Sequence, residues 1–135
     1  MRGKETGQAV SSHRTANALC SEDEIVRLVH AFYARVREDA LLGPVFEAHV
    51  ADWPAHLAVL VDFWSAMLRG TRRFRGAPVT RHRALPPLSA QMHARWLQLF
   101  AQTTAESGNP ALQAEADDVA RRMAATLQAR AADAL

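Results

Sequence analysis

From Trp53 to Arg69 the stripe His56, Val59, Leu60, Phe63, Trp64 and Met67 recurs in steps of three and four, which brings these side chains to one face of an α-helix. Asp52 is placed to cap its start, Pro54 falls in the first turn where a missing N–H is harmless, and Gly70 ends it. Three further stretches carry the same period. Ser21-Glu22-Asp23-Glu24 is a capping-box pattern, followed by Ile25, Leu28, Val29, Phe32, Tyr33 and Val36 at helical spacing to about Glu38. Ser89 caps a helix to about Glu106 whose inner face reads Met92, Trp96, Leu99, Phe100 and Thr103. Asn109-Pro110 opens a last helix with the stripe Leu112, Ala116, Val119, Met123 and Leu127, fraying after about Arg130. No stretch alternates with period two, so the spacing predicts an all-α chain of four substantial helices.

The connections are informative in their own right. Asp39 to Phe46 contains Gly43-Pro44, which predicts a tight corner that delivers Phe46 to the interior, with Ala48 to Ala51 as a connection. Residues 1–20 mix Gly, Ser, Thr, Lys and Arg without apolar period and read as a flexible arm, leaving 21–135 as a single domain. Residues 70–81 hold Arg72, Arg73, Arg75 and Arg81 among glycines and Pro78, a long basic loop of a kind uncommon in a small domain and often functional. His82 follows, on at most a short helical turn, because Pro86-Pro87 forbids continuation.

At 135 residues and 49% apolar, the chain can bury one real core. A net charge of +2 is too small to demand a nucleic acid or a membrane surface as partner. Cys20 is the only cysteine, so no disulfide forms within one chain and a thiolate zinc or iron–sulfur site is excluded there. No signal-peptide core and no span-length apolar run is seen, and the expected setting is the cytosol, with a monomer favoured.

The polar residues on the inner stripes mark the candidate site. His56, Tyr33 and Trp96 project inward from three different helices, and a polar group on a core face costs free energy unless it has a partner. Each alone has an ordinary explanation: His56 as a satisfied core histidine, His82 as a solvated loop residue, the arginines as a solvated basic surface. Their convergence suits an iron porphyrin, whose faces are apolar, whose iron takes an axial imidazole and whose propionates attract cations. His82 is then the axial ligand, with Arg72, Arg73, Arg75, Arg81 and Arg83 nearby for the propionates. A zinc site would need three or four ligands at once, and His56 with His82 has no fixed-spacing acidic or cysteine companion. His30, His49 and His93 read as surface or boundary groups, and no serine-hydrolase elbow or phosphate loop is present.

Taken in order, Phe32-Tyr33, Leu42-Gly43-Pro44-Val45-Phe46, Trp53-x-x-His56, Phe63-Trp64, His82-x-x-Leu85-Pro86-Pro87 and Trp96-Leu97-x-Leu99-Phe100 resemble the truncated haemoglobins, in their bacterial group III branch. No single piece is specific, but the ordered set runs from about Glu24 into the last helix. The resemblance implies a globin-like, two-over-two helical sandwich around haem b. It implies His82 as the proximal ligand, Tyr33 and Trp96 as hydrogen-bond donors to a ligand on the iron, and His56 as a distal gate or polar wall. Leu60 is implied as an apolar neighbour of the ligand, with Phe32 beside Tyr33. Phe46, Phe63, Trp64 and Leu85 are implied as apolar haem contacts, and Arg73, Arg81 and Arg83 as haem-binding cations.

The function so implied is reversible binding of O2 or NO at a five-coordinate iron. Two donors facing one ligand predict slow release, which favours ligand capture, redox chemistry or detoxification over bulk oxygen transport. An electron-donating reductase is an implied partner. The alternatives are a haem enzyme with peroxidase-like or NO dioxygenase activity and, more remotely, a non-haem helical interaction protein.

Overall fold

A computed structural model of the protein describes residues 19–74 and 88–134. His82, Arg75, Arg81, Arg83, Leu85 and most of the expected arm lie outside the described residues. Among those described there are five α-helices and no strand: α1 Glu22–Glu38, α2 Gly43–His49, α3 Trp53–Arg69, α4 Ala90–Ala105 and α5 Pro110–Ala134. No helix among them is long and apolar enough to cross a membrane.

The starts of α1, α3 and α4 are set by the side chains that the sequence places there. Ser21 Oγ accepts from the Glu24 N–H at 3.1 Å while Glu24 accepts from the Ser21 N–H at 2.8 Å, a complete capping box. Asp52 and Ser89 cap α3 and α4 in the same manner. Gly70, at φ 75°, takes the left-handed conformation that ends α3.

α1 packs on α3, α4 on α5, and the two pairs meet through α1 with α4 and α3 with α5. This is two helices over two, with Ile25, Val36, Leu42, Leu68, Leu112 and Phe100 fully buried between the layers. Leu19 and Cys20, the last two residues of the expected arm, lie against this core.

The corner after α1 differs from expectation. Residues 43–49 form about two turns of helix rather than an irregular connection. Asp39 accounts for this: its Oδ2 accepts from the N–H groups of both Leu41 and Leu42 at 3.0 Å, fixing the approach to a helix whose first turn accommodates Pro44. Phe46 is delivered to the core, 2% exposed, as the corner predicted. Gly43 has a steric reason to be there, since a Cβ would come within 2.6 Å of the Arg37 carbonyl oxygen.

Three other expectations are corrected. Met67 is 45% exposed and Leu68 is buried in its place, because α3 touches both α1 and α5 and therefore buries more than one narrow stripe. His93 is buried, not a surface or boundary group; its Nδ1 lies 3.2 Å from the Ser89 carbonyl one turn earlier, which supplies the polar partner that burial requires. α5 continues to Ala134 instead of fraying after Arg130.

Candidate functional site

The site is built where α1, α3 and α4 converge. Tyr33 follows Phe32 on the buried face of α1, and both are 2% exposed or less. Phe32 meets Trp96 of α4 edge to face, with ring centroids 5.2 Å apart and planes at 87°. Trp96 in turn stacks on Phe100 at 5.6 Å and 7°, and Phe100 on Trp64 of α3 at 5.1 Å. A continuous aromatic wall therefore runs from Tyr33 through the core to Trp64 and Phe63. Leu60 is buried one turn beyond His56 on the same helix.

Tyr33 carries the polar function of this wall. Its phenol is held well above its ordinary pKa, chiefly by burial, against the opposing effect of the nearby Trp96 indole. The indole N–H can only donate, and the phenol O–H can donate or accept. The Tyr33 ring also faces Phe46 of α2 at 6.1 Å and meets His56 of α3 edge-on at 5.9 Å. His56 is half-buried, and burial lowers its pKa, so the ring is neutral near pH 7.

The structure thus brings together Phe32, Tyr33, Phe46, His56 and Trp96. Phe63 and Trp64 stand deeper along the aromatic wall, and Phe63 also meets Phe74, at 5.5 Å, where the chain leaves the described residues. Arg73 is engaged: it donates to Asp62 at 2.9 Å and to Glu22 at 2.6 Å, and Glu22 also accepts from Arg69 and Ser65. This cluster ties the start of the basic segment to the first turn of α1.

Two site neighbours, quoted among the ordered motifs, were given no role at the site from the sequence. Trp53, the first residue of α3, lies 5.5 Å from His56 and 6.1 Å from Tyr33. Its signal was an aromatic three residues before an inward histidine. Phe100 joins Trp96 to Trp64, and its place one turn after Trp96 on a buried stripe was the available sign.

A flat, apolar group with one reactive atom at its centre suits this surface. The aromatic wall supplies apolar contact, and the phenol and the indole supply neutral donors for a small ligand that gains negative charge. Among the described residues no three His, Cys, Asp or Glu side chains gather to hold a bare metal ion.

The family model of the bacterial-like globins matches residues 17–133. The chain belongs to that family, in the group III branch of the truncated haemoglobins. The group 3 truncated haemoglobin ctb of Campylobacter jejuni is 33% identical over 87 residues, which is 62% of this chain and 68% of that protein. The crystal structure of the group III truncated haemoglobin from Campylobacter jejuni superposes with a TM-score of 0.74 at 30% identity, covering 82% of this chain and 91% of that one. Haem, iron and oxygen binding follow from membership, and the wall described above is the part of this globin that suits them.

Proposed function

We propose that this globin captures diatomic ligands, O2 or NO, at a five-coordinate haem b and turns them over in redox or detoxification chemistry rather than carrying oxygen. When bound, haem supplies an iron that binds imidazole and diatomic ligands. His82 would hold that iron through a neutral Nε2. Tyr33, His56, Leu60, Trp96 and Phe32 would line the space for the ligand. Phe46, Phe63, Trp64 and Leu85 would provide apolar contact with the porphyrin, and Arg81 and Arg83 would pair with its propionates. Arg73, which also holds Asp62 and Glu22, would join them.

The buried Tyr33 phenol, with Trp96 across Phe32 and His56 edge-on to its ring, carries this reading. Tyr33 O–H and Trp96 N–H are neutral donors suited to a ligand with partial negative charge. Neutral His56 adds a polar edge without placing a full charge in the pocket. Such a donor in a low-dielectric site slows release by stabilising the bound state on the order of 1–3 kcal/mol. Slow release suits capture in the cytosol followed by reaction, for which an electron-donating reductase would be the partner.

Oxygen association and dissociation rates on the purified ferrous protein test the proposal. Fast dissociation, of the kind a carrier needs, overturns it. The same donor pair also suits a peroxidase-like or NO dioxygenase enzyme, which sustained turnover with peroxide, or with NO and a reductase, would identify.

A further inference from the structure

Trp53 sits where three elements meet at the surface. Its indole N–H donates to Glu47 Oε1 of α2 at 2.6 Å. The Arg37 guanidinium of α1 lies over its ring, 4.5 Å from the centroid, and Arg37 Nε reaches Glu47 at 3.4 Å. Arg37 and Glu47 are both exposed, Trp53 is 9% exposed, and beyond Trp53 stand His56 and Tyr33. One line of contacts therefore leads from solvent to the phenol.

The His56 ring has no hydrogen bond among the described residues, and packing is what orients it. It is gripped edge-on between Tyr33 at 5.9 Å and Trp53 at 5.5 Å, with planes at 87° and 89°. Tyr33 is fixed in the core, so the setting of His56 depends on Trp53. The setting of Trp53 depends in turn on a short, charge-assisted bond to Glu47 and on the cation over its face.

We propose that Glu47 and Arg37 form a latch that holds the Trp53 indole against His56 and so governs the admission of small ligands to Tyr33. Trp53 and Glu47 are positioning residues in this scheme. The inference rests on the proposed ligand site but adds a control point outside it.

Carbon monoxide binding to the ferrous haem protein is the test, because it follows ligand access and leaves a diamagnetic product for NMR. Glu47→Ala removes the acceptor and speeds CO association about three- to ten-fold, equivalent to one modest contact. Glu47→Gln keeps an oxygen acceptor and stays near the wild-type rate. In a His56→Leu background Glu47→Ala has no further effect, since the latch acts through that ring. Exchange of the Trp53 indole N–H in the CO form accelerates in Glu47→Ala, while that of Trp96 is unchanged.

An unchanged CO rate in Glu47→Ala overturns the latch, as does a full effect that survives His56→Leu. General loosening, seen as faster exchange at both Trp53 and Trp96, also overturns it. A wild-type protein that shows no haem–CO spectrum sinks the underlying reading instead, so the two failures are distinct.

Discussion

Arg95 reaches across from α4 to the end of α1, where its Nε donates to Asp39 Oδ1 at 2.6 Å. This bond fixes the residue next to Trp96 to the corner that launches α2, and so sets the site's indole relative to Phe46. The Asp39 side chain is only 4% exposed, and its other oxygen serves two backbone N–H groups. Asp39→Ala leaves three donors without their partner and is expected to cost about 2–4 kcal/mol, read as a lower urea midpoint at unchanged slope.

The same carboxylate gives a pH dependence. Burial opposes its ionised form, but the Leu42 and Leu41 N–H groups and Arg95 outweigh that and hold its pKa below the ordinary value. Its contribution is therefore complete above the unfolded pKa of about 3.9 and is lost as pH falls through the lower folded value. Asp39→Asn is expected to flatten the acid limb of a stability-versus-pH curve below about pH 4, by roughly one proton's worth of slope. A limb as steep as in the wild type contradicts this.

Tyr33→Phe removes the donor hydroxyl while keeping the ring that packs on Phe32 and Phe46. Oxygen dissociation is expected to accelerate about 10- to 100-fold, measured by stopped flow on the ferrous protein. Trp96→Phe removes the indole N–H while keeping an aromatic ring beside Phe32 and Phe100, and it is expected to accelerate oxygen release as well.

His82→Ala is expected to abolish normal haem retention. The check is the Soret band of the purified variant, and rescue by added imidazole would locate the defect at the axial position. A full-strength, wild-type spectrum without imidazole would assign the proximal bond to another side chain.

Gly43→Ala drives a methyl group to 2.6 Å from the Arg37 carbonyl oxygen, a backbone atom that cannot swing aside. A loss of about 1–3 kcal/mol is expected in equilibrium unfolding. Gly70→Ala, which meets no neighbouring atom within 4 Å but keeps a φ of 75°, tests conformational strain alone at the end of α3.

Helix existence and the inward side chains were legible because period and caps agree: Ser21, Asp52 and Ser89 each cap where the spacing begins. Tyr33 and Trp96 followed from the same stripes, and Phe46 from the Gly43-Pro44 corner. The misses arose where a single narrow stripe was drawn on a helix that buries a wider face. His93, Trp96, Phe100 and Thr103 form one buried series in steps of three and four, yet His93 was placed beside the stripe as a surface or boundary group. Leu60, Trp64 and Leu68 form another, and Met67 was preferred for continuing the narrower stripe. α2 was hidden because Gly-Pro signals a break, whereas Asp39's bonds to two backbone groups turn that break into a helix start. The Trp53–Glu47 bond joins side chains on separate elements and leaves no periodic trace.

Gly43 has a mechanical consequence for how this pocket opens. The backbones of α1 and α2 are in near contact at Arg37 and Gly43, which leaves no room for the two helices to close further on each other there. Among the described residues, Val50 to Asp52 is the short connection that leads from this tight junction into the first turn of α3, where Trp53 stands. A change in the angle of that connection would carry Trp53 with it, like a door turning on a fixed post.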